Sequence, residues 1–128
     1  MSYYFSKRIE AGFDEALERI TAALKVEGFG VLTEIDVRAT MKARLNVDFR
    51  NYRILGACNP PFAHRALEAE DKIGTMLPCN VVVQEIGQGE VEVAAVDPVA
   101  SMQAVDNPAL GEVAQEIQAR LRRVVEGL

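Results

Sequence analysis

The chain has no tryptophan and a single histidine, His64, among its 128 residues. That leaves few large aromatic or imidazole groups for an elaborate active site. It has only two cysteines, Cys58 and Cys79, too few for the dense disulfide framework of a small secreted scaffold. No uncharged stretch approaches the ~20 apolar residues of a membrane-spanning helix. The opening residues, Met1 to Arg8, lack the apolar centre of a secretory signal. Together these absences lead us to expect a cytoplasmic protein with reduced thiols and no membrane partner. Positive charge is scarce as well: 14 Lys and Arg stand against 19 Asp and Glu, a net charge of -5. Nucleic-acid backbones are gripped by clustered Lys and Arg, so no nucleic-acid partner is expected. The glycines form neither a dinucleotide fingerprint nor a phosphate loop, and there is no Gly-x-Ser-x-Gly nucleophile turn.

What is present describes an ordinary globular chain. It is 49 % apolar and 26 % charged, with enough residues for one real core and no repeat or linker to divide it. A single domain over residues 1–128 is expected. Tyr3 to Ile9 reads as a first strand, with Tyr3, Phe5, Lys7 and Ile9 on one face. A helix follows, with Phe13, Leu17, Ile20 and Leu24 on one stripe and Gly28 as its stop. Gly30 to Val37 alternates as a strand, with Val31, Thr33, Ile35 and Val37 on one side. Thr40 to Leu45 is a short helix, capped by Thr40 or by a residue just before it. Tyr52 to Cys58 is a strand closed by Asn59-Pro60-Pro61, and proline suits the first turn of a helix running to about Ala69. Asp71 to Leu77 is a turn region. Cys79 to Ile86 contains Val81-Val82-Val83, a run without alternation that predicts burial on both faces. Gly87-Gln88-Gly89 turns it into a return strand from Glu90 to Val96. Val99 to Ala104 is a helical turn. Pro108 opens a last helix with Leu110, Val113, Ile117, Leu121 and Val124 on one stripe.

This order predicts an α+β domain with a mostly antiparallel sheet, two long helices packed on one face, and short extra helices. The other face is left wet or available for a homodimer.

The most informative local feature is a repeated Cys-Asn, in Gly56-Ala57-Cys58-Asn59-Pro60 and Leu77-Pro78-Cys79-Asn80-Val81. One pair ends a strand and the other begins the next. Antiparallel pairing puts the two thiols at one rim of the sheet; parallel pairing separates them by about a strand length, ~17–20 Å. Cys58 precedes a helix start, where the helix dipole favours a thiolate, and His64 follows within that helix. Cys58, Asn59, His64, Cys79 and Asn80 are therefore the candidate ligand-binding residues. The thiols and the imidazole are soft ligands for a metal, or a nucleophile with a base, although the spacing lacks the paired Cys-x-x-Cys of a zinc site. They are equally compatible with two cysteines buried as small hydrophobes and two asparagines serving as turn caps. A secondary acidic group, Glu34, Asp36 and Asp97, suits a divalent cation or acid–base work if it converges. Lys42, Arg44 and Arg50 offer an anion site or simply a solvated surface.

Several of these segments carry a resemblance. Gly28-Phe29, Glu34-Ile35-Asp36-Val37, Tyr52 through Pro60, Ile73-Gly74, Leu77 through Val81 and Val96-Asp97-Pro98 resemble the bacterial and archaeal domain of unknown function 302 family. The resemblance implies one α+β domain with an antiparallel sheet, similar to the TATA-binding-protein-like class of folds. It implies no reaction, no cofactor and no catalytic residue. Three functional readings stay open: a module binding a small molecule or soft metal at the Cys58/Cys79 rim, a thiol enzyme built on Cys58, and a structural, self-associating protein.

Overall fold

The computed structural model describes residues 2–128. Strands β1 (Tyr4–Glu10), β2 (Gly30–Asp36), β3 (Tyr52–Cys58), β4 (Cys79–Gly87) and β5 (Glu90–Val96) form one sheet in the order β1-β5-β4-β3-β2. Every neighbouring pair is antiparallel. Helices α1 (Phe13–Val26) and α5 (Ala109–Glu126) cover one face. Shorter helices α2 (Val37–Leu45), α3 (Pro60–Ala69) and α4 (Pro98–Ser101), with a 3-10 turn at Ile73–Met76, fill the connections. This is the expected α+β arrangement of two long helices on an antiparallel sheet.

The helices form where apolar periodicity and end signals agree. On α5, Leu110, Val113, Ile117, Leu121 and Val124 are all buried, as their spacing predicts. On α1 the buried stripe is Phe13, Ala16, Ile20 and Leu24, with Leu17 half-buried beside it. Gly28 ends α1 at φ 87, a conformation that costs glycine nothing. Its N–H reaches the Lys25 carbonyl and the next N–H, of Phe29, reaches that of Leu24, which closes the helix with a Schellman turn. The β4–β5 hairpin turns through Gln88 and Gly89, with Gly87 opposite Glu90 and Gly89 at φ 71.

Three local expectations are corrected. The placing of Val31, Thr33, Ile35 and Val37 on one side of β2 fails at a bulge. Val31 pairs with Ala57 and Thr33 with Gly56, so Leu32 is an extra residue and the alternation changes phase there. Val31 consequently faces the helices beside Leu55, while Thr33 and Ile35 face the open side. The strand also ends one residue early. The Asp36 carboxylate accepts the Ala39 N–H at 3.0 Å, so α2 starts at Val37 and neither Thr40 nor a longer strand sets its boundary. The third concerns Val81-Val82-Val83. Val81 and Val83 are fully buried, but Val82 is only half-buried on the uncovered face. The run reflects β propensity at an intermediate position, with no second layer covering it.

Candidate functional site

The antiparallel pairing of β3 with β4 brings both cysteines to the same end of the sheet. Cys79 opens β4 directly opposite Ala57, and Cys58 is the next residue along β3. Both thiols are free. Gly56 makes this corner possible: a Cβ there would lie 2.1 Å from Thr33 Oγ1 and 2.7 Å from Pro78 Cγ. Only a residue without a side chain lets the segment before Cys79 pack so tightly on β3.

Beyond this rim, α3, α4 and α5 do not close completely over the sheet. They leave a cavity of about 300 Å3 lined by Cys58, Asn59 and Cys79 together with residues of all three helices. Phe62 and Ala66 of α3 meet Ile117 of α5 across it. Alanines at Ala57, Ala63, Ala66 and Ala114 supply the room, since larger residues at those positions would fill it. Leu32, 67 % exposed because of the β2 bulge, and Leu67, 43 % exposed, lie where the cavity meets solvent. No lining residue carries a charge.

Asn59 is the one amide in this wall. It occupies the N-cap position of α3 but makes no cap hydrogen bond with its side chain. Its Nδ2 instead donates to the Glu27 carbonyl at 3.1 Å, where α1 ends. Arg120 of α5 donates to the same oxygen at 3.0 Å, and the Glu27 carboxylate receives Arg123 at 2.9 Å. That pairing holds the Glu27 carboxyl below its ordinary range, against a smaller opposing effect of desolvation. The start of α3 is thus fastened to α1 and α5 just beside the cavity.

The two thiols differ in environment. Burial is the main cause, with the neighbouring Cys58 adding to it, that pushes Cys79 from 9.0 up to about 11. At neutral pH Cys79 is therefore a thiol, and a poor nucleophile. Burial favours the neutral form, so the stability carried by Cys79 is complete below pH 9.0, declines as the unfolded chain ionises, and is lost above about 11. The loss amounts to about 3 kcal/mol. Urea denaturation at pH 8 and pH 11 tests it: the wild type loses more stability than Cys79→Ala over that interval, and equal losses disprove the assignment.

The other sequence candidates lie elsewhere. His64 is on the exposed side of α3, with Nε2 2.7 Å from Glu68 and no part in the cavity wall. Asn80 pairs opposite Gly56 and is exposed in a shallow depression on the uncovered sheet face with Tyr4, Tyr52 and Val82. The repeated Cys-Asn therefore does not produce two equivalent sites. Glu34 and Asp36 do share a face, but Arg53 binds both, at 2.5 and 3.3 Å. Asp97 lies three strands away, just after β5 at the Cys58/Cys79 end of the sheet, where it caps α4 and accepts Gln118 at 3.0 Å. Among the described residues no three His, Cys, Asp or Glu side chains converge. Lys42 pairs with Asp48, and Arg50 lies 4.5 Å from the centre of the Phe49 ring while reaching Gln84. Phe62, Ala63, Ala66 and Met102, which build the cavity, were not singled out by the sequence. The legible sign was alanine recurring at helix positions that face the core.

The model of the family described as "Domain of unknown function DUF302" matches residues 5–128. The chain belongs to the DUF302 family. A crystal structure of an uncharacterized conserved DUF302 protein from Bacillus stearothermophilus superposes with a TM-score of 0.89. It shares 31 % identity with this DUF302 chain, and the match covers 98 % of each. No curated protein matches at a comparable level. Among the described residues of this DUF302 domain, no helix is long and apolar enough to cross a membrane.

Proposed function

We infer that this DUF302 domain binds a small, largely apolar molecule in the cavity between α3, α4, α5 and the Cys58/Cys79 rim. One observation carries the reading. A space of about 300 Å3 opens to the surface yet has an uncharged, almost wholly apolar wall. That places it at the lower end of ligand pockets, which run from ~300 to ~1,000 Å3. Apolar walls left in contact with water favour an occupant that displaces it. The soft-metal form of the idea loses support, because His64 is remote from the thiols and supplies no third ligand. The thiol-enzyme form loses its base for the same reason. A cytoplasmic setting suits the free thiols. Titration of the isotope-labelled protein with 1-octanol, followed by amide NMR shifts, tests the binding reading. Saturable shifts confined to residues around Phe62, Cys79 and Ile117 are expected; uniform or non-saturating shifts defeat it.

A second reading, a homodimer through the uncovered sheet face, rests on that face itself. Tyr4 is 43 % and Ile35 49 % exposed there, with Ile54, Val82, Ala94 and Val96 half-buried between them. An apolar sheet face of this kind fits a second copy of the chain. Sedimentation as a dimer, converted to a monomer by Val82→Arg, is the expected result, and a wild-type monomer at all concentrations ends this reading.

A further inference from the structure

The cavity wall has one feature that an oily void does not need. Asn59 is only 6 % exposed, and among the described residues it is the one buried polar side chain. Only the amide nitrogen can donate to the Glu27 carbonyl, which turns Oδ1 away from α1. Oδ1 accepts no hydrogen bond from the protein, neither from the α3 N-terminus that it is placed to cap nor from any other donor among the described residues. Yet no sealed side-chain oxygen or nitrogen lacks a partner among those residues. Oδ1 therefore keeps some open surface, and Asn59 is one of the residues that line the cavity. An amide oxygen in such a place is held ready for a donor, because leaving it unmatched opposite an apolar ligand is costly.

We propose that the ligand is a neutral molecule with an apolar body and one hydroxyl or N–H donor, the donor being received by Asn59 Oδ1. This rests on the binding reading above and adds the ligand's chemical class. Three features of the wall select that class. It holds no Lys, Arg or His to neutralise a carboxylate or phosphate. It holds no Asp or Glu to receive an ammonium group. The Arg120 guanidinium, 5.2 Å from the centre of the Phe62 ring, is already occupied by the Glu27 carbonyl and by Glu116, each at 3.0 Å. A charged head would thus enter a low-dielectric space without a partner, whereas an alcohol finds one acceptor and an apolar wall.

Three probes of similar size test this on the wild-type protein: 1-octanol, methyl heptyl ether and octanoate, each titrated by NMR at pH 7.5. The ether keeps the apolar bulk but has no donor; octanoate keeps the chain but carries charge. The expected order is octanol tightest, the ether about tenfold weaker, and octanoate without saturable binding. An ether equal to octanol overturns the role of Asn59 while leaving the binding reading intact. Octanoate equal to or tighter than octanol overturns neutrality. If none of the three binds, the binding reading and this proposal fall together. Asn59→Leu supplies an independent check in the folded protein: octanol and the ether are expected to become equal. Persistence of the tenfold preference in that variant would assign the donor to another acceptor. Should Asn59→Leu not fold, the comparison of octanol with the ether still decides.

Discussion

Ala63→Phe is expected to abolish octanol binding, lowering affinity by more than about 100-fold, while the protein stays folded. Ala63 is half-buried, lines the cavity and sits on a helix whose other face is solvent. A phenyl group there occupies the space a ligand would take. It also replaces water contacts of the wall with protein contacts, so stability is expected to hold or rise, as cavity filling commonly stabilises by ~0.5–2 kcal/mol. The opposed directions make the test sharp. Loss of binding with unchanged or raised melting temperature places the ligand in this cavity. Retained octanol affinity in a folded Ala63→Phe would place it elsewhere.

The second large effect concerns the frame that holds the cavity open. Leu121 is completely buried on α5, where that helix lies against the sheet. Truncation to alanine removes apolar burial and leaves a void that the close-packed core around it, which also holds the fully buried Val91 and Val93, does not refill. Leu121→Ala should therefore cost about 3 kcal/mol, a large share of the ~5–15 kcal/mol that holds a domain of ordinary stability. Urea denaturation would show the midpoint falling with the slope unchanged, and melting should drop by about 10 °C. A loss below about 1 kcal/mol would mean that α5 is not anchored at Leu121 as its burial indicates.

The architecture was legible because its signals are local. The five-position stripe on α5, the prolines in the first turn of α3 and the glycines around Gln88 each act through neighbouring residues, and each lies where expected. The convergence of Cys58 and Cys79 was also legible, since it needed only the direction of two adjacent strands. Leu32 shows what was hidden. A bulge is a register event between β2 and β3, and alternation within β2 alone cannot reveal it. Asp36 shows another limit: its carboxylate ended a strand and began a helix, a choice made by one hydrogen bond. His64 followed Cys58 closely in sequence, yet helical rotation carried it to the solvent side and toward Glu68. The cavity itself was least legible. It depends on four alanines from three separate elements meeting in space, and each alone is an unremarkable helix or strand residue. Asn59 read as a turn cap; the structure gives it a longer reach, to Glu27.

That reach has a mechanical corollary. The backbone oxygen of Glu27 is a knot in which the C-cap of one helix, the N-cap of a second and a residue within a third are tied. A Cβ on Gly28 would come within 3.1 Å of the Asn59 amide nitrogen, so the knot has no slack on that side. An occupant that pulls Asn59 even slightly must strain or remake this tie, and the strain is shared at once by segments some ninety residues apart along the chain. On the binding reading, guest uptake and the cohesion of the helical layer would be one event, shared by Asn59 and Arg120 through a single oxygen.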